Sequence, residues 1–170
     1  MILGGHAIML SVDLPDEIKA ARDQWIAASP SRKAVANPHI TLLFLGRDLE
    51  EWVGDAMVDV VDELELEMLL PFEAQSTGRF EMFGMLGESM VMTMKDGPLT
   101  VTREKLKDIF DEKFGIRPDG SFHNFRPHIS LAEGATGDPP PVTRVPPMLI
   151  PFKQLQAKIG SARTHSRTIG

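Results

Sequence analysis

The stretch Pro38-His39-Ile40-Thr41-Leu42 is matched, 89 residues further along the chain, by Pro127-His128-Ile129-Ser130-Leu131. Each pentad closes the same series of segments. Before the first, residues 5–12 (GHAIMLSV) are apolar and β-compatible and predict a strand, stopped by Asp13-Leu14-Pro15. Ile18, Ala21, Trp25 and Ala28 then recur at three-to-four spacing and predict an amphipathic helix from Pro15, with the linker 29–38 leading into the pentad. Before the second, residues 89–94 (SMVMTM) predict a strand. Leu106, Ile109, Phe110 and Phe114 predict a helix over 100–114 closed by Gly115, and Arg126-Pro127 leads in. Two copies of strand, helix, loop and Pro-His-Ile-hydroxyl-Leu predict a pseudo-symmetric α+β pair of lobes; a solenoid would need three or more units.

The remaining segments fit around this repeat. Residues 39–45 are apolar on both faces, as in a central strand, and Gly46 is expected to end it. Asp48 with Glu51 three residues on resembles a capping box. It opens a helix with Leu49, Val53, Ala56, Met57, Val60, Val61 and Leu64 on one stripe. Segments 72–83 and 89–94 read as two strands around a turn at 84–87. Residues 138–151 hold six of the thirteen prolines and read as a loop; 152–159 read as a last strand before a polar, basic tail.

Composition bounds the function. A length of 170 residues predicts one domain over 1–170 made of two lobes, acting as a monomer. Apolar residues at 42% and charged residues at 25% are enough for a core and exclude a disordered tail. The absence of cysteine excludes disulfides, thiolate nucleophiles and Cys-based metal sites and predicts a reducing cytoplasm. The longest apolar runs, 42–45 and 145–150, are far below the ~20 residues of a membrane helix, so a soluble, unexported chain is expected. A net charge of -6 argues against a protein that coats duplex nucleic acid. Residues 1–112 carry 10 Lys/Arg against 21 Asp/Glu, and residues 113–170 carry 8 against 3. The basic end is therefore either a place for a small anionic ligand or a solvated tail.

On a strand, residues i and i+2 share a face, so His39 with Thr41 and His128 with Ser130 each present an imidazole beside a hydroxyl. If a pseudo-twofold brings the pairs to one cleft, they suit a phosphodiester. One neutral imidazole takes a proton from the attacking oxygen, one imidazolium gives a proton to the leaving oxygen, and the hydroxyls hold the non-bridging oxygens. Histidine's unperturbed pKa of about 6.5 permits both roles near neutral pH. The plain structural alternative is a pair of strand-end histidines satisfied by the backbone.

PHITLLFLG and PHISL resemble the paired His-x-Thr/Ser-x motifs of the two-histidine (2H) phosphoesterase superfamily, and the LigT-like branch of RNA 2',3'-cyclic phosphodiesterases and 2'-5' RNA ligases in particular. The similarity extends to the opening strand and helix with Asp13-Leu14-Pro15, to Gly78-Arg79-Phe80, and to the late Ile159-Gly160-Ser161. Ser130 stands where many relatives have Thr, which keeps the hydroxyl. The resemblance implies a bilobal fold with two antiparallel-rich sheets flanking a central cleft and helices outside. It also implies metal-independent cleavage of a 2',3'-cyclic phosphate or a 2'-5' bond, no cofactor, catalysis by His39 and His128, and phosphate binding by Thr41 and Ser130. Substrates in view are a small nucleotide, a single-stranded RNA end, a cyclic oligonucleotide signal of the immune-evasion type, or ADP-ribose 1'',2''-cyclic phosphate. The alternative is a non-catalytic module that sequesters a nucleotide.

Arg126 and Phe125 flank the second pentad and are candidates to neutralise phosphate and to stack on a base, with solvation and core packing as the plainer roles. Arg32 and Lys33 stand likewise before the first, and Phe122 before the second. His6 is expected to bond to backbone at a strand end, His123 and His165 to be surface residues, and Met82, Met85, Met90, Met92 and Met94 to fill core gaps. No Gly-x-Ser-x-Gly, HExxH, Walker loop or GxGxxG occurs. A zinc site on His39 and His128 would lack a third ligand at recognisable spacing.

Overall fold

The computed structural model describes residues 1–66, 71, 73–118, 125–134 and 144–169. The elements run β1 (Ile2–Val12), α1 (Asp16–Ala27), β2 (Lys33–Ala34), β3 (His39–Leu49), α2 (Glu51–Glu63), β4 (Glu73–Phe83), β5 (Ser89–Met94), α3 (Pro98–Phe114), β6 (His128–Glu133), β7 (Leu149–Ile159) and β8 (Arg163–Thr168). Every strand pairing is antiparallel. One lobe has the strand order β3-β1-β7-β8, and the other β6-β5-β4 with the two residues of β2 on the outer edge of β6. The lobes meet at two seams. β3 and β6 share the single pair Ile40↔Ile129, while Glu73–Gln75 of β4 pair with Leu149–Pro151 at the start of β7.

The repeat read from the sequence is the repeat of the fold. In one copy Ser11, Leu10 and Met9 of β1 lie opposite His39, Ile40 and Thr41; in the other Thr93, Met92 and Val91 of β5 lie opposite His128, Ile129 and Ser130. The copies also interlock. α1, from the first, packs against β2 and β6, and α3, from the second, packs against β3 and α2. Their buried faces hold part of the predicted stripes: Ile18, Ala21 and Trp25 on α1, with Ala28 exposed beyond it, and Leu106 and Phe110 on α3, joined by Leu99 and Thr102 while Ile109 and Phe114 are half-buried. Trp25 and Phe110 are wholly buried, the largest apolar payloads in the core. Gly115 ends α3 in the left-handed conformation, its N–H donating to Asp111.

Four readings need correction. Gly46 does not end β3, which runs on to Leu49 because β1 continues to pair with it as far as Ile2. Asp48 does not cap α2; its carboxylate accepts the Gly4 N–H at 2.8 Å, and Glu50 takes the N-cap place without a side-chain bond. The loop ends at Met148: β7 begins at Leu149, and Pro151 sits in it at the point where its partner changes from β4 to β1, its carbonyl accepting from the Asp13 N–H. The basic tail is a strand, β8, paired along β7 from Gln154↔Thr168 to Ile159↔Arg163. Residues 138–143 of the loop and Phe72 lie outside the described residues.

α2 approaches β7 closely at Gly54, where an added Cβ would fall 2.7 Å from Cγ2 of Ile159. Its acidic flank meets the basic tail strand. Asp55 pairs with Arg163 at 3.7 Å and Asp62 bonds to His165 at 2.7 Å, so part of the C-terminal positive charge is answered within the fold. No helix among the described residues is long and apolar enough to cross a membrane.

Candidate active site

His39 and His128 each occupy the first position of a strand, and the seam between those strands brings them together. Ile40 and Ile129, the paired residues, are wholly buried on one face, while His39, Thr41, His128 and Ser130 are half-buried on the other. Ile40 and Ile129 are the one register pair between β3 and β6, so His39 and Thr41 flank it on β3 and His128 and Ser130 flank it on β6. Two imidazoles and two hydroxyls therefore border the same seam, one of each from either strand.

The backbone fixes both rings in the same way. His39 Nδ1 lies 2.8 Å from the carbonyl oxygen of Asn37, and His128 Nδ1 lies 2.8 Å from that of Arg126. A carbonyl only accepts, so each Nδ1 carries the proton and donates it, leaving Nε2 of the neutral ring with a lone pair. The intervening prolines are held alike: Pro38 O accepts the Val12 N–H at 3.2 Å and Pro127 O accepts the Met94 N–H at 2.9 Å. Among the described residues, the structural alternative, histidines satisfied by backbone, thus holds for one nitrogen of each ring only.

The two halves differ in what surrounds the rings. Phe83 sets its ring against His128 in a T-shaped contact, centroids 4.7 Å apart, and the guanidinium of Arg126 lies 5.0 Å over the same phenyl ring. Arg126 also pairs with Glu81 at 2.9 Å. Phe125 is partly buried against the core with Arg103 5.2 Å over its ring. Both flanking residues thus border the second pentad and line a cavity of about 490 Å³ beside it, together with Thr93, Arg79 and Lys95.

Other candidates fall elsewhere. Arg32 is buried, 4.2 Å over the Trp25 ring with Nη1 donating to Trp25 O, which places it in the core and not on the surface; exposed Lys33 pairs in β2 with Glu133. His6 is wholly buried and bonded through Nδ1 to Gly4 O, as expected of a strand-end histidine. His165 is half-buried against Asp62. Met90, Met92 and Met94 are core residues and Met82 packs on the core, but Met85 is fully exposed at the hairpin tip. Phe122 and His123 lie outside the described residues. Among the described residues no group of three or more His, Asp or Glu converges as a metal site would.

Sequence reading missed Ser11, Thr93 and Phe83. Ser11 and Thr93 were legible, since a hydroxyl falls at the same place in each copy, directly opposite the motif histidine. Phe83 carried no signal, as its contact depends on the length of the β4–β5 hairpin.

A two-lobed antiparallel α+β fold that sets a duplicated His-x-hydroxyl strand start about one seam defines the class of two-histidine phosphoesterases. The family model of the 2'-5' RNA ligase superfamily matches residues 10–163, and the chain belongs to that family, the LigT-like branch of the class. Among solved structures it is similar to TT0787 of Thermus thermophilus, with 24% identity, TM-score 0.56, and 96% of this chain and 95% of that one covered. E. coli LigT complexed with 3'-AMP gives 19%, 0.55, 98% and 96%. The MHV ns2 PDE domain gives 18%, 0.57, 98% and 99%. No curated protein sequence matches.

Proposed function

We propose that the whole chain works as one domain, a metal-independent phosphodiesterase of the cytoplasm that opens a 2',3'-cyclic phosphate or cleaves a 2'-5' or 3'-5' oligonucleotide bond, with His39 and His128 as its acid-base pair. The observation that carries this is the matched Nδ1-to-carbonyl bond on the two histidines either side of the Ile40–Ile129 seam. Each Nε2 is left to take or give a proton. Water adds to phosphorus as one neutral imidazole removes its proton. The P–O bond to the leaving ribose oxygen breaks as the other imidazolium protonates that oxygen. Charge on the non-bridging oxygens is met by the hydroxyls of Thr41 and Ser130. E. coli LigT has been crystallised with 3'-AMP, with phosphate and with NADP+, and we carry the small-nucleotide ligand class across from it.

The test is a hydrolysis panel run in EDTA: 2',3'-cyclic mononucleotides, an RNA oligomer with a 2',3'-cyclic end, 2'-5' oligoadenylate and cyclic dinucleotides, each with wild type, His39→Ala and His128→Ala. Turnover that survives EDTA and falls at least about a hundredfold in each variant is the expected result. Activity unchanged in both variants overturns the mechanism. Nucleotide binding without turnover on any substrate would favour the sequestering module.

A further inference from the structure

The cavity beside His128 has a feature the first lobe lacks. Ser76 of β4 pairs with Met94 and Phe80 with Met92, so Thr77, Gly78 and Arg79 together oppose the single residue Thr93, which makes a β-bulge. Gly78 permits it: its φ is +78° and an added Cβ would fall 2.2 Å from the carbonyl oxygen of Val145. The bulge is tied from within. Thr77 Oγ1 donates to Thr93 O at 3.1 Å and accepts the Arg79 N–H at 3.1 Å, and Val145 N–H donates to Gly78 O at 2.8 Å. Thr93 is the residue opposite His128, so the bulge is built against the site and leaves the exposed Arg79 on the wall of the adjoining cavity.

Charge on that wall is partly answered. Arg126 neutralises Glu81, and the carboxylate of Asp96 accepts from the Thr100 hydroxyl at the start of α3. Arg79 and Lys95 line the same cavity, and among the described residues neither has an ion-pair partner. The corresponding face of the first lobe is built differently. Beyond Ser11, β7 and β8 present Gln154, Gln156, Ser166 and Thr168, with Gln156 bonded to Asn37, Gln154 and Ser166. One side of the seam thus offers amides and hydroxyls, the other three cations, Arg79, Lys95 and Arg126, against the two carboxylates of Glu81 and Asp96, a cavity with one positive charge in excess.

We infer that Arg79 and Lys95 receive a second phosphate, the one on the 5' side of the nucleotide whose 2',3' edge reacts, so that the preferred substrate is a 5'-phosphorylated nucleotide or the end of a longer strand. This rests on the reaction proposed above. The reacting phosphate lies on the 2' and 3' oxygens of the ribose. The remaining phosphate ester position of that nucleotide is 5', and the cations sit in the cavity that adjoins His128.

Titration calorimetry with two stable probes separates the ideas. Adenosine 3',5'-bisphosphate should bind wild type at least about tenfold tighter than 3'-AMP, since charge-assisted bonds to phosphate are worth that much. In Arg79→Gln and Lys95→Gln, both at exposed positions, that preference should shrink while 3'-AMP binding stays the same; in the double variant it should vanish. Equal affinity of wild type for both probes, or an equal loss for both in the variants, overturns the inference. A bisphosphate preference that depends on Arg79 and Lys95, with no turnover on the hydrolysis panel, would support the second-phosphate site and sink the hydrolytic reading instead.

Discussion

At the scale of single residues, the contact on which the proposed chemistry rests is made by main chain. Carbonyls of Asn37 and Arg126 hold the two imidazoles, so the tautomer is set by backbone that no side-chain replacement at those positions removes. The hydroxyls are different, because in the proposed mechanism Thr41 and Ser130 offer one O–H each to a charged phosphate and nothing else on the strand replaces it. A hydrogen bond to a charged group is worth about 1.5–3 kcal/mol. Thr41→Ala and Ser130→Ala should therefore each lower kcat/KM by about ten- to a hundredfold, less than removal of either histidine. Steady-state kinetics on whichever ester is turned over would check it; a loss as deep as that of His39→Ala would mean the hydroxyl handles the reacting proton itself. That Ser130 stands where Thr41 stands in the other copy carries no penalty in this view, since both place the oxygen one bond from Cβ.

At the scale of elements, β8 illustrates what a sequence pattern conceals. Arg163, His165 and Arg167 share one face of the strand and meet α2, whereas Thr164, Ser166 and Thr168 share the other. Both faces are polar, so the alternation of apolar and polar residues that marks a half-buried strand is absent, and the segment reads as a tail. Arg167 anchors it. Its Nη1 donates to the carbonyls of Val61, Asp62 and Leu64, the last turn of α2, which carries no basic residue of its own. Arg167→Met should cost about 1–2 kcal/mol of stability through the lost C-terminal bonds, with kcat unchanged. Urea denaturation beside an activity assay would test it, and an unchanged midpoint would show that water replaces the guanidinium freely. The repeat units were legible for the opposite reason: strand, helix and pentad each carry an apolar periodicity and occur twice. β2, two residues long, is too short to carry a period, and the Asp48-Glu51 spacing misled because Asp48, at φ +54°, is held by Gly4 of a strand distant in sequence. The bulge at Thr77–Arg79 was announced only by its glycine, and a lone glycine in a strand does not say which way the next side chain is turned.

At the scale of the molecule, duplication leaves two arrangements open in principle: a site in each lobe, or one site shared between them. The topology favours sharing. On the proposed reading each half contributes one histidine and one hydroxyl, β3 and β6 meet at the register pair Ile40–Ile129, β2 of the first half pairs with β6 of the second, and each half's helix packs on the other half's strand. A lobe with its own site would need acid and base within itself, and among the described residues His6 and His165, the other histidines, are engaged with Gly4 O and with Asp62. The distinction is kinetic. If each lobe turned over substrate independently, His39→Ala and His128→Ala would each keep about half the wild-type rate, and only the double variant would be inactive. If proton removal and proton delivery belong to one transition state, either single replacement forfeits most of the advantage, and the second can forfeit little more, since groups that act as a unit are far from additive. The expected result is two single variants each at least about a hundredfold down, with the double variant within about tenfold of the slower one. Effects that multiply fully in the double variant would mean that the histidines act in separate steps, and with that the seam at Ile40 and Ile129 would lose its role as the place where one reaction is assembled.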